Sequence, residues 1–177
     1  SMVKRSSQPP YIDELLKRPA WRGEMKVMLG AIRTLIVDDS STLRAMLDVV
    51  ISKHRDFRPP EHAANALQAI ETLDVRLFDL VLLDINMPGM DGLQLLDHIV
   101  SNDLARVMIV SASSVRGSEI RSDALKRGAI ACFDKANCIR EADRLVGLIR
   151  KIVAGNYQTA LCSEKMDMAM GRVVEKA

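Results

Sequence analysis

Residues 77–92, LFDLVLLDINMPGMDG, contain the stretch that decides the fold. Four consecutive apolar residues, from Leu80 to Leu83, form a continuous run that is typical of a strand buried on both faces of a sheet. The run stops at Asp84, and a Pro-Gly pair that favours a turn follows shortly afterwards. The question is therefore what a carboxylate does at the end of a buried strand.

Segments with strand and helix patterns alternate on both sides of this stretch. The strand candidates are residues 32–39, 57–63, 77–84, 106–112 and 130–134. Apolar residues recur at helical spacing after each of them, and the helix candidates are 41–53, 67–73, 92–101, 118–127 and 142–153. Such alternation requires parallel strands joined by helical crossovers. We therefore predict one doubly wound α/β domain over residues 31–154, with a five-stranded parallel sheet.

The second strand candidate is expected at an edge of the sheet, because Pro59 and Pro60 cannot donate to a ladder. Two extensions flank the predicted domain. Residues 1–30 are mildly basic and partly helical in pattern. Residues 155–177 carry apolar side chains at helical spacing, which predicts an amphipathic helix that docks on protein. This helix could dock on its own domain, on a second copy of the chain in a homodimer, or on a partner protein.

Composition excludes several classes of protein. A net charge of +2 is too small to indicate a nucleic-acid or membrane surface. No apolar run approaches the ~18–20 residues that a membrane span requires. The cysteines, Cys132, Cys138 and Cys162, include no C-x-x-C pair and are odd in number, so we expect free thiols in a reducing cytoplasm.

Polar residues lie at the carboxyl ends of four predicted strands. Asp38 and Asp39 end the first, Asp84 the third and Ser111 the fourth, and Lys135 follows the last. Ligands of open parallel sheets bind at this edge. Adjacent carboxylates oppose one another's ionisation, and Mg²⁺, which prefers oxygen ligands, would neutralise them. Asp84 is then the candidate nucleophile, since carboxylates form aspartyl-phosphates, and the hydroxyl and ammonium groups could hold phosphoryl oxygens.

The motifs LIVDDS, LVLLDINMPGMDG, VMIVSA and CFDKA, in this order and spacing, resemble the receiver domain of bacterial two-component response regulators. The resemblance covers about residues 32–154. It implies a flavodoxin-like receiver fold with strand order 2-1-3-4-5. It also implies that Asp84 is phosphorylated by a histidine kinase or a histidine phosphotransfer protein.

The resemblance further implies the role of each site residue. Mg²⁺ would be held by Asp38, Asp39, Asp84 and the backbone carbonyl of Asn86. Ser111 and Lys135 would grip the phosphoryl group. The output of phosphorylation would run through the fourth helix, the fifth strand and the fifth helix.

Two positions depart from the usual pattern of the family. Ala136 follows Lys135 where the family usually has a proline after a cis bond. A cis bond before a non-proline residue costs ~2.5–4 kcal/mol, so we expect a trans bond, which leaves the reach of Lys135 open. Cys132 stands where the family usually has a switch aromatic residue. Phe133 is adjacent, but strand alternation places it on the other face.

Within the family, SASSVRGSEI and ALKRGAI are most similar to the receiver half of chemotaxis methylesterases. The sequence contains no G-x-S-x-G elbow, so we expect no enzyme activity beyond self-phosphorylation and autodephosphorylation. A magnesium-dependent phosphatase of the haloacid-dehalogenase kind needs D-x-D after the first strand, which VDDSS lacks. The expectation is a stand-alone receiver that signals by protein–protein interaction without a DNA-binding output domain. The alternatives are an unphosphorylated adaptor, or a receiver fragment of a larger regulator.

Overall fold

The computed structural model describes residues 31–87, 92–112 and 115–155, so the predictions for 1–30 and 156–177 lie outside the described residues. Within these ranges five strands alternate with five α-helices. The elements are β1 Thr34–Val37, α1 Ser41–Ser52, β2 Glu61–Ala63, α2 Ala66–Val75, β3 Leu80–Leu83, α3 Gly92–Ser101, β4 Arg106–Ser111, α4 Val115–Lys126, β5 Ala131–Asp134 and α5 Ala142–Val153. A short 3-10 helix, Lys135–Asn137, follows β5.

The strands form one parallel sheet in the order β2-β1-β3-β4-β5, which confirms the predicted fold class and strand order. Val37 on β1 pairs with Leu83 on β3, and Leu83 pairs with Ile109 on β4. The carboxyl ends of the central strands are therefore level with one another. This register places the residues that follow β1 and β3 side by side at one edge of the sheet.

The sheet separates two apolar clusters, as a doubly wound fold requires. Alternate residues of β3 face opposite sides: Val81 and Leu83 pack with α2, α3 and α4, whereas Leu80 and Leu82 pack with α1 and α5. All four are buried. Full burial of one such side chain contributes about 1.5–3 kcal/mol, so the apolar run before Asp84 anchors that residue firmly.

Side-chain caps begin the first two helices. The Ser40 hydroxyl accepts a hydrogen bond from the Leu43 amide at 3.3 Å. The Asn65 side chain accepts from the Gln68 amide at 2.9 Å. Each cap satisfies an amide that the helix itself leaves unpaired. The cap at Ser40 starts α1 directly after the acidic pair that ends β1.

Several boundaries differ from the sequence-based expectation by one to four residues; β1 and β3, for example, are shorter than the predicted 32–39 and 77–84. The edge strand β2 is shorter than the predicted 57–63, since proline cannot donate to the ladder, and only an isolated bridge joins Phe57 to Ile32. Helix α4 begins at Val115 rather than at residue 118. The expectation placed the start after Gly117, but one glycine costs a helix only about 1 kcal/mol.

The Lys135–Ala136 peptide bond is trans, as expected, since no cis bond occurs among the described residues. In the same ranges, no helix combines the length and the apolar character that crossing a bilayer requires.

Candidate phosphoacceptor site

Three carboxylates meet where β1 and β3 end. Asp38 and Asp84 are each only 2% exposed, whereas Asp39 is exposed. One carboxylate oxygen from each of the three lies within 4.8 Å of the others. Two neighbouring strands thus bring together the three acids that the sequence placed at this edge.

Lys135 joins the two buried acids. Its Nζ lies 2.7 Å from Asp38 Oδ2 and 2.6 Å from Asp84 Oδ2. The ammonium therefore crosses from the end of β5 to the acid cluster with a trans bond after it, which answers the question of its reach. Burial alone would lower the pKa of Lys135, but its bonds to Asp38 and Asp84 outweigh burial and raise it, so the group stays charged.

Main-chain amides hold the other oxygens of the buried acids. The Ser40 amide donates to Asp38 Oδ1 at 2.8 Å, and the Asn86 amide donates to Asp84 Oδ1 at 3.0 Å. Burial is the main cause of a raised pKa at Asp38, even though Lys135 and the Ser40 amide oppose it. Hydrogen bonds therefore orientate the carboxylates of the cluster. Burying their negative charges is unfavourable, and a bound cation would offset that cost.

Asn86 was predicted as a metal ligand through its backbone carbonyl. The structure shows its amide on Asp84, and the role of its carbonyl stays a prediction. The segment that carries both residues lies against the start of α3. A Cβ at Gly92 would stand 2.6 Å from Ile85 Cα and 3.0 Å from the Asp84 carbonyl oxygen. Only glycine allows this approach, so Gly92 supports the acceptor segment from behind.

Ser111 is 1% exposed at the end of β4, which pairs directly with β3. Arg121 of α4 reaches this residue: its Nε lies 3.4 Å from Ser111 Oγ, and its Nη2 lies 3.3 Å from the Ser111 carbonyl oxygen. A second arginine, Arg44 of α1, donates to the Asp38 carbonyl oxygen. Sequence reasoning missed both arginines, because helix periodicity locates apolar faces and not the polar contacts of a long side chain.

The other candidate residues near the site have structural roles. Cys132 packs with the α2–α4 side of the sheet and Phe133 with the α1–α5 side, which confirms their opposite faces. Cys138 is buried, and burial, with the nearby Asp134 charge, raises its pKa to about 12. A thiol with such a pKa is protonated at neutral pH and is a poor nucleophile.

The three carboxylates suit a hard divalent cation. Mg²⁺ takes oxygen ligands, needs only one or two carboxylates, and keeps water molecules that a phosphate can replace. Asp39 lies on the solvent-exposed side of the cluster, and Asp38 and Asp84 lie on its buried side. The donor set therefore fits Mg²⁺, with Lys135 as an internal counter-charge.

Comparisons with known proteins agree with this geometry. Residues 34–150 match the family model described as response regulator receiver domain. Chemotaxis protein CheY of Listeria monocytogenes is 39% identical over 121 residues, which cover 68% of this chain and 97% of that protein. A protein-glutamate methylesterase/protein-glutamine glutaminase of Methanosarcina mazei is 33% identical over 129 residues, which cover 71% of this chain and 36% of that protein. The chain thus spans well under half the length of the methylesterases it matches.

A solved structure of the P1 domain of CheA3 in complex with CheY6 from R. sphaeroides shows the same architecture. The match has a TM-score of 0.61 and 30% sequence identity, and it covers 71% of this chain and 98% of that one. Residues 34–150, which the family model matches, include both the sheet and the acid cluster at its carboxyl edge. The chain therefore belongs to the response regulator receiver domain family, the CheY-like module of two-component signalling.

Proposed function

We propose that this chain is a phosphoacceptor: Asp84 receives a phosphoryl group from the phosphohistidine of a histidine kinase or a histidine phosphotransfer protein. One observation carries the proposal, namely the cluster of Asp38, Asp39 and Asp84 bridged by the Lys135 ammonium. A purely structural acid at the end of a strand would not need two further carboxylates and a half-buried counter-charge. The proposed localisation is the cytoplasm.

The chemistry follows from the position of each group. A carboxylate oxygen of Asp84 attacks phosphorus, the O–P bond forms, the N–P bond breaks, and the histidine nitrogen leaves with the electron pair. The Lys135 ammonium lies 2.6 Å from Asp84, so it can form a charge-assisted hydrogen bond to the new phosphoryl oxygens. Ser111 offers a hydroxyl hydrogen from the next strand. Bound Mg²⁺, held by Asp38, Asp39 and Asp84, would neutralise the charge that accumulates on the phosphoryl oxygens.

The partner is proposed on the same grounds. The complex between the P1 domain of CheA3 and CheY6 shows a family member bound to a domain of its signalling partner, and the fold of that structure matches this chain. We extend that mode of interaction to a kinase domain of unknown identity. The downstream output is proposed to be binding to another protein, without DNA recognition and without catalysis of another substrate's reaction.

Labelling with a small phosphodonor tests this function. Wild-type protein incubated with acetyl phosphate and Mg²⁺ should acquire one acid-stable, base-labile phosphoryl group, and peptide mapping by mass spectrometry should place it on Asp84. The Asp84→Asn variant should acquire none, whereas Asp74→Asn, which alters an exposed aspartate of α2, should behave like wild type. Undiminished label in Asp84→Asn would refute the proposal.

If the chain is instead an unphosphorylated adaptor, its partner binding should not depend on phosphorylation. A receiver fold that serves only as a docking surface would bind its partner equally well with and without phosphorylation. Substitutions in the acid cluster would then leave partner binding unchanged. The intact cluster and the bridging lysine favour the phosphoacceptor.

A further inference from the structure

A side chain of α4 contacts the buried hydroxyl at the edge of the proposed phosphorylation site. Arg121 directs Nε to Ser111 Oγ at 3.4 Å and Nη2 to the Ser111 carbonyl oxygen at 3.3 Å. The two contacts use different nitrogens of one planar group. The guanidinium therefore fixes Ser111 by both its side chain and its main chain, which a single-point contact could not do.

The hydrogen-bonding capacity of serine allows this hydroxyl to serve two partners. A hydroxyl has one hydrogen to donate and two lone pairs to accept with. Arg121 has only donors, so its contact uses a lone pair and leaves the hydroxyl hydrogen for an acceptor. A phosphoryl oxygen on Asp84 is such an acceptor, and β4, which carries Ser111, lies directly beside β3.

The neighbouring strand β5 presents a small side chain to the main chain of Arg121. Cys132 of β5 pairs with Ile109 of β4, two residues before Ser111, and its Sγ lies 4.0 Å from the Arg121 carbonyl oxygen. Its side chain is small and packs against the apolar cluster shared by α2, α3 and α4. A cysteine of β5 therefore lies beside the main chain of the helical residue that contacts Ser111.

We infer that Arg121 is a positioning residue that couples phosphorylation of Asp84 to α4 through the Ser111 hydroxyl. The inference rests on the proposed function and adds one residue, Arg121, to the output through the fourth helix that the family resemblance implies. When a phosphoryl group draws the Ser111 hydroxyl toward Asp84, the guanidinium follows its acceptor. Because Arg121 belongs to α4, a shift of its side chain changes the packing of that helix.

The test uses the full chain with beryllofluoride and Mg²⁺ as a stable stand-in for the phosphoryl group. Amide exchange of α4 is measured with and without beryllofluoride in wild type, Arg121→Ala, Arg121→Gln and Arg121→Lys. Lys126→Ala, an exposed position on the same helix, is the matched control. Melting curves establish that each variant folds, and the glutamine variant serves if the alanine variant does not fold.

Wild type and Lys126→Ala should show at least a twofold change in α4 exchange on addition of beryllofluoride. The alanine and glutamine variants should lose most of that change, while the loops after β1 and β3 still respond, and Arg121→Lys should restore part of it. The apparent affinity for beryllofluoride should fall about three- to tenfold in the alanine variant, as for the loss of one hydrogen bond.

The outcomes separate the two levels of the proposal. Wild type that takes no label at Asp84 and shows no beryllofluoride response would overturn the proposed function and this inference with it. Label at Asp84 combined with an α4 response that is absent in wild type, or equal in wild type and Arg121→Ala, would overturn the inference alone. A merely structural arginine would lower the melting temperature without changing the α4 response.

Discussion

At the scale of single residues, the site combines groups that oppose folding with groups that hold them in place. Asp38 is buried beside two other carboxylates, and burial is the largest cause of its raised pKa. A carboxyl group whose pKa is higher in the folded than in the unfolded state destabilises the fold when it is ionised at neutral pH. That cost diminishes as the pH falls toward the folded-state pKa. The ionised form of Asp38 therefore opposes folding in the absence of a bound cation.

Replacing this carboxylate should therefore stabilise the metal-free protein. Asp38→Asn keeps an acceptor for the Ser40 amide and removes the buried charge. We expect its free energy of unfolding in EDTA, measured by urea denaturation at pH 7, to equal that of wild type or exceed it by about 1 kcal/mol. Stabilisation by added Mg²⁺ should be lost. A variant that is clearly less stable than wild type in EDTA would contradict this view of the cluster.

At the scale of secondary-structure elements, the fold was predictable where apolar periodicity decides the structure. The order of strands and helices, the edge position of β2 and the meeting of Asp38, Asp84 and Lys135 all follow from alternation and from the level carboxyl ends of parallel strands. The arginine contacts were not predictable, because they depend on rotamers of long side chains. The close contact of Gly92 with Ile85 was not predictable either, because it depends on the conformation of the backbone around Ile85.

Gly92 offers a test of how α3 supports the acceptor segment. Gly92→Ala would place a methyl group 2.6 Å from Ile85 Cα, and a backbone atom cannot move aside without displacing the segment that carries Asp84. We expect a loss of about 1–3 kcal/mol in unfolding free energy and slower labelling of Asp84 by acetyl phosphate.

Gly147 provides the matched control for this substitution. A Cβ there would meet no atom within 4 Å, and the residue lies within α5. Gly147→Ala should therefore leave labelling unchanged and stabilise the protein by up to ~1 kcal/mol. Equal effects of the two substitutions, measured by denaturation and by labelling rate, would show that the contact behind Asp84 is unimportant.

An ion pair at the opposite edge of the sheet links the segments that lead into β1 and β3. Asp79 accepts from the Arg33 amide at 2.8 Å and from the Arg33 guanidinium at 3.1 Å. Burial alone would raise the pKa of Asp79, but the bonds from Arg33 outweigh burial and lower it. A lowered carboxyl pKa contributes stability above the unfolded-state pKa, and that stability is lost as the pH falls through the folded-state pKa.

This ion pair therefore predicts a pH-dependent effect. Asp79→Asn should lower the unfolding free energy at pH 7 by about 0.5–1.5 kcal/mol, a modest value because both side chains are about one third exposed. The difference from wild type should shrink as the pH falls below ~4, where the unfolded aspartate takes up its proton. Denaturation of both proteins at a series of pH values measures it. A difference that stays constant from pH 7 to pH 3 would argue against the pair.

At the scale of the whole molecule, we expect the residues at the carboxyl edge of the sheet to act as a unit. Asp38 and Asp39 follow β1, Asp84 follows β3, Ser111 ends β4 and Lys135 follows β5, so the strands bring these residues to the same edge. If they act together, a change at one acid must alter the chemistry at another. Independent residues at the ends of separate strands would show no such dependence.

The most direct test is the Mg²⁺ dependence of Asp84 labelling in wild type and in Asp39→Asn. Asp39 is exposed and was predicted as a metal ligand, so its substitution should alter metal binding with little effect on folding. We expect acetyl phosphate to label Asp84 of wild type only when Mg²⁺ is present, EDTA to abolish the label, and Asp39→Asn to reduce the labelling rate at least tenfold (~1.4 kcal/mol). Labelling of Asp84 that proceeds equally in EDTA, or equally in Asp39→Asn, would contradict a metal site shared by these acids.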